Sequence, residues 1–142
     1  MKKIVVFSIG ITTFLYSCQE NSINKVQQIS KEAIGIHDEI MPQIRNFDQQ
    51  TLKIDSLLQN LDSLKAIHST IDSNALKVEL IQLKNDIEAA TDNMMTWMKD
   101  YEPSDTSLVV QEKMLNRVQE MKKQFETVNT KINSSLKPLQ TK

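Results

Sequence analysis

Beyond residue 17 the chain contains four strong helix breakers: Gly35, Pro42, Pro103 and Pro138. Sheet proteins need glycine- and proline-rich turns at short intervals. So few breakers over such a length favour long helices joined by a small number of connections. The same scarcity excludes phosphate-cradling loops, because one glycine builds neither a P-loop nor a dinucleotide fingerprint.

The apolar spacing says where the helices run. A first seam passes through Val26, Ile29, Ala33, Ile36, Ile40, Ile44, Phe47, Thr51, Ile54, Leu58 and Leu61. Its steps alternate between three and four, with one extra residue between Ile40 and Ile44, a stutter that locally unwinds a coiled coil. A second seam runs Leu76, Leu80, Leu83, Ile87, Ala90, Met94, Trp97, Tyr101. A third runs Met114, Val118, Met121, Phe125, Val128, Ile132, Ser135, Leu139. Between the first two lies His68-Ser69-Thr70-Ile71-Asp72-Ser73-Asn74, rich in turn and N-cap residues. Between the second and third, Pro103 stops one helix and Ser104 or Asp105 can cap the next. The spacing predicts helices over 22–67, 74–102 and 105–137. The expected fold is all-α: an antiparallel three-helix, possibly four-helix, coiled-coil-like bundle with a long, kinked first helix.

The helix lengths do not match. Folding the second helix back on the first carries it only to about Pro42. Residues 22–40 then project by about 28 Å at 1.5 Å per residue. Their apolar stripe needs a cover. It could fold back at Gly35–Pro42 as a short fourth helix, self-associate as a stalk, or meet an envelope partner. A stalk leading to a three-helix head is the expectation. Pro42 costs a helix interior about 3 kcal/mol. With the stutter it marks the junction of stalk and head, where Gly35, His37, Met41, Pro42, Trp97, Met98 and Tyr101 are expected to gather.

Two motifs break the plain bundle pattern. One is Ile36-His37-Asp38-Glu39-Ile40-Met41-Pro42. The other is Met94-Met95-Thr96-Trp97-Met98, which holds three of the seven methionines and the one tryptophan. His37 with Met41 and Met94 with Met98 are i,i+4 pairs, so each pair can share a helix face. Imidazole plus thioethers is a soft donor set suited to Cu(I), and Trp97 could cap a cation through its ring face. Core packing is the competing role, since methionine fills irregular interiors. Asp38 and Glu39 are adjacent and point apart on a helix, so they form no acid–base pair. His68, the other imidazole, lies in the distant turn. No nucleophile–base constellation assembles, and no enzymatic activity is expected.

The N-terminal residues speak to location. Lys2 and Lys3 precede an uncharged apolar stretch from Ile4 to Phe14. That stretch is too short to span a hydrocarbon core of about 30 Å and has the flanks of a secretory signal peptide. Leu15-Tyr16-Ser17-Cys18 resembles a bacterial lipobox, with an apolar residue at −3 and a small one at −1. The expected organisation is a signal peptide over 1–17, a lipid-anchored polar tether over 18–24 and a helical domain over 25–142. Acylation would consume the only cysteine, so no disulfide is expected. Several acyl chains anchor far more firmly than one. The chain is therefore expected to be exported and held on a membrane. Gln19 in place of an inner-membrane retention Asp favours the outer membrane, on its periplasmic or surface face.

Charge adds one exclusion. The net charge is −1, and losing Lys2 and Lys3 with the leader makes it more negative. The longest basic run is Lys122-Lys123, so no electrostatic footprint for nucleic acid exists.

The two motifs, together with Val128-Asn129-Thr130-Lys131-Ile132-Asn133-Ser134-Ser135-Leu136, resemble small Bacteroidetes lipoproteins. Their pattern is HDEhMP, then MMxWMxxF/Y, then VNxxIxxSL. Many of these carry the label viral A-type inclusion protein through coiled-coil similarity. The resemblance covers nearly all of the chain after the leader. It implies a signal peptide, lipidation and a helical bundle, and brings no activity, substrate or cofactor. The expected role is a lipid-anchored binding or structural module of the envelope. The alternative is a Cu(I)-binding or sequestering protein using His37, Met41, Met94 and Met98.

Overall fold

The computed structural model describes residues 16–67 and 72–139, with side chains from residue 22. Over these residues the chain is all-helical, with no strand. The elements are α1 (Tyr16–Gln59), α2 (Leu61–Ile67), α3 (Ser73–Asp100) and α4 (Leu108–Leu136), then a 3-10 turn over Lys137–Leu139. No described helix is long and apolar enough to cross a membrane. The leader and the His68–Ile71 part of the first turn lie outside the described residues.

The seams become the core. Ala33, Phe47, Ile54, Leu80, Ala90, Met94, Val118 and Phe125 are fully enclosed. Phe47 and Phe125 stack at its centre with ring centroids 4.8 Å apart. Burying a side chain of this size stabilises the fold by about 1.5–3 kcal/mol. The third seam ends at the buried Leu136 rather than on Ser135 and Leu139. A straight helix drifts by about 20° per heptad, which brings residue 136 inward in place of 135.

Cross-helix polar pairs fix the directions. Lys25 meets Glu112 at 3.0 Å, Glu32 meets Gln119 at 3.2 Å and Glu39 meets Lys122 at 2.8 Å, so α4 runs parallel to α1. Asp55 meets Lys84 at 2.7 Å, and Ser30 meets Tyr101 at 2.7 Å, so α3 runs antiparallel to α1. Asp100–Arg117 at 3.0 Å and Asp86–Lys131 at 2.6 Å set α3 against α4 in the same antiparallel sense.

This arrangement corrects the stalk. Val26, Ile29, Ala33 and Ile40 are all buried within the chain. Their cover is α4, which starts beyond the end of α3 and travels alongside the N-terminal half of α1, together with the end of α3, where Trp97 meets His37 and Tyr101 meets Ser30. Pairing α1 with the second helix alone had left that half bare. The inward part of the apolar stripe over residues 22–40 is therefore covered within the chain, while Ile23 and Ile34 stay exposed. Nor does α1 fold back: it continues through Gly35 and Pro42. Both residues are exposed, and a Cβ placed on Gly35 would meet nothing within 4 Å. Pro42 deprives the Asp38 carbonyl of its partner N–H, but on the solvent face, where a long helix tolerates outward-tilted carbonyls. The residues expected to form a tether, 18–24, are helical.

The helix ends follow local chemistry. Asn60 interrupts the expected 22–67 helix. Its side-chain amide donates to the Ser56 carbonyl at 2.8 Å, the acceptor its own backbone N–H would use in a helix. That N–H turns to Leu57 O at 3.1 Å instead, the competition by which Asn disfavours helix interiors. Asp72 caps α3, accepting from the N–H groups of Asn74 and Ala75 at 2.9 and 3.2 Å. The cap of α4 is Ser107, not Ser104 or Asp105. The Asp105 carboxylate accepts the Ser107 N–H at 2.7 Å and so delays the helix start.

Candidate functional site

The helix registers bring three rings together. Trp97 stands on the last turn of α3 and Tyr101, four residues on, is its C-cap; their rings stack at 4.5 Å. From α1, the His37 ring stacks on Trp97 at 5.6 Å. His37 therefore lies level with Trp97.

Each ring is tied at its polar end. The Trp97 indole N–H donates to the Met114 carbonyl of α4 at 2.9 Å, inside the core. The Tyr101 hydroxyl donates to the Ser30 carbonyl at 3.2 Å. With its proton so used, it accepts from the buried Ser30 hydroxyl at 2.7 Å. His37 Nδ1 bonds the Asp38 carboxylate at 2.9 Å. Asp38 thus reaches its neighbour, although adjacent helical side chains diverge, while Glu39 turns away to Lys122. That contact raises the Lys122 ammonium above its ordinary value, chiefly through the hydrogen bond to Glu39.

The loop after Tyr101 is held from below by Gln111. This side chain is fully buried, and its amide donates to the carbonyls of Glu102 at 2.9 Å and Asp105 at 3.0 Å. Sequence reasoning missed Gln111. The available signal was its position one step before Met114 on the third seam, where a polar residue needs a reason to be. Glu102 is fixed on the outside. The Ser104 hydroxyl donates to it at 2.6 Å, which holds its carboxyl below the ordinary range.

The expected junction is brought together only in part. His37, Trp97 and Tyr101 meet, and Met41 packs partly buried against the core. Gly35 and Pro42 stand outside. The soft-donor set is divided: Met94 is fully buried, whereas Met98 is 40% exposed. The seam passes from Met94 to Trp97 and Tyr101, which turns residue 98 away from the interior. Cys18 lies in α1, but its side chain is outside the described ones. Among the described residues no group of three or more His, Cys, Asp or Glu side chains could hold a metal ion.

Of several grooves elsewhere, two have mainly apolar walls. One, of about 810 Å³, lies between α3 and α4 and is lined by Ala75, Val78, Leu83, Lys131 and Ser135 among others. The other, of about 390 Å³, lies between α1 and the loop after α3, against Ile23, Val26, Ile34 and Pro103. Neither is lined by His37, Trp97 or Tyr101. The aromatic stack is a packed clamp joining α1, α3 and α4, with the Trp97 and Tyr101 donors already used. Compared with protein-family models, curated proteins and solved structures, the chain finds no match.

Proposed function

We propose that this chain is an acylated, exported envelope protein whose helical domain serves as a binding or structural module. The observation that carries the reading is Leu15-Tyr16-Ser17-Cys18, placed after a charged start and an apolar stretch too short to span a bilayer. The outer membrane is the favoured location. The domain supports a non-catalytic role through the state of its polar interior. Trp97, Tyr101 and Gln111 spend their N–H and O–H donors on backbone carbonyls, which fastens helices and loop together. A bend of α1 at Pro42, which the lost hydrogen bond would favour, would fit the helix around this clamp.

The test is fractionation of cells expressing the full chain. Wild type is expected with the membranes, and Cys18→Ala in the soluble fraction. Retention of the variant on membranes would end the acylation reading.

A Cu(I)-binding role keeps one supporting observation. His37 sits against Trp97, the neighbour of the exposed Met98, and its Nε2 makes no hydrogen bond among the described residues. Met94 adds nothing to such a site without opening the core.

A further inference from the structure

We infer that the end of the bundle carrying Ile23, Val109 and Val110 rests on the membrane that holds Cys18, with these side chains at the boundary between headgroups and acyl chains. The inference builds on the acylation of Cys18 proposed above.

Helix α1 is continuous from Tyr16. Cys18 therefore stands about 7.5 Å along the axis from Ile23, at 1.5 Å per residue. No slack segment separates an acylated Cys18 from the folded domain. The Lys25–Glu112 pair at 3.0 Å sets the register of the parallel α4, so Val109 and Val110 lie level with Ser22 and Ile23.

Val109 is 76% exposed, the highest value among the large apolar side chains of the described residues, with Ile23 at 45% and Val110 at 39%. Single exposed apolar residues are ordinary. These share one end of the molecule, and it is the end from which the lipid would emerge. The groove between Ile23, Val26, Ile34 and Pro103 opens beside them.

The carboxylates at this end do not oppose contact with a neutral headgroup layer. Glu102 is bonded by Ser104, Asp105 by the Ser107 N–H and Glu112 by Lys25. The loop carbonyls of Glu102 and Asp105 are turned inward to Gln111. The acyl chains supply the main anchoring free energy. The bundle end then meets the bilayer at very high effective concentration, where even a small apolar surface stays docked.

Acylation uses the only cysteine, so Val109→Cys and Val78→Cys each give one labelling site, at opposite ends of the bundle. The lipidated full chain, carrying an environment-sensitive fluorophore at either position, is placed in phosphatidylcholine vesicles. The label at 109 is expected to shift to the blue and become several-fold less accessible to iodide than the label at 78. Equal quenching at both positions in vesicle-bound protein would overturn the inference while leaving acylation intact. A Cys18 thiol that still reacts with maleimide, in protein that does not float with vesicles, would overturn both readings. Protection at 109 in the Cys18→Ala form without vesicles, rising with protein concentration, would assign the surface to a second copy and overturn the membrane contact.

Discussion

The indole N–H of Trp97 donates to the main-chain carbonyl of Met114 across 2.9 Å, joining α3 to α4 inside the core. Trp97 is 2% exposed, so water cannot replace this bond. Trp97→Phe keeps a ring in the stack and deletes the donor. It should lower the free energy of unfolding by about 1–3 kcal/mol. Trp97→Ala also leaves a cavity and should cost about 3–5 kcal/mol. Urea titration checks both. A Trp97→Phe loss of only a few tenths would deny the bond its role.

Tyr101 and Ser30 should be energetically coupled. Tyr101→Phe and Ser30→Ala each break the same hydroxyl contact. Each should cost about 1 kcal/mol, and the double variant should cost less than the sum, by at least about 0.5 kcal/mol. Strict additivity in a double-mutant cycle would mean that the two hydroxyls act independently.

Acid should weaken the α3–α4 contact at Asp86. The Lys131 ammonium at 2.6 Å, helped by the Gln82 amide and opposed by burial, holds the Asp86 carboxyl below its ordinary value. A group depressed in the folded state contributes stability above its unfolded pKa, and that contribution is lost as pH falls through the folded pKa. Asp86→Asn should therefore be less stable than wild type at neutral pH, by on the order of 0.5 kcal/mol for a pair at the surface. The gap should close as pH falls below the ordinary carboxylate range and through the lowered folded pKa of Asp86. Thermal melts of the two proteins across that range measure it. A gap independent of pH would remove the charge from the explanation.

Cu(I) titration of the Cys18→Ala form addresses the metal reading. If His37 and Met98 form a site, binding tighter than micromolar should appear and vanish in His37→Ala or Met98→Leu. Met94→Leu should leave it unchanged, because Met94 is enclosed in the core. Absence of binding would falsify the metal role.

Where the chain is helical was legible in the sequence because heptad spacing reports burial directly. Every residue of the second seam from Leu76 to Trp97 is buried as read. Three features escaped because they depend on contacts between elements or on side chains bonding backbone. The cover on Val26 and Ile29 comes from α4, and its register is set by pairs such as Lys25–Glu112 that no single helix reveals. The break at Asn60 comes from one amide competing for Ser56 O. The late start of α4 comes from Asp105 holding the Ser107 N–H. Within the candidate site, His37 and Trp97 were both placed at the junction, but their direct stacking was not legible, because antiparallel pairing carried the second helix only to about Pro42. The outward turn of Met98 was not legible either, because i,i+4 spacing alone does not say which member of a pair lies on the seam.

The parallel run of α1 and α4 has a topological consequence. Three long passes are an odd number, so the chain at Leu139 stands at the opposite end of the bundle from Tyr16. The two ends are about 50 Å apart, counted along α1 and then α4 at 1.5 Å per residue. The described helices thus separate the two chain ends along the bundle axis. Anything fused after Leu139 would be carried at that height, and deleting one heptad from all three long helices should lower it by about 10 Å.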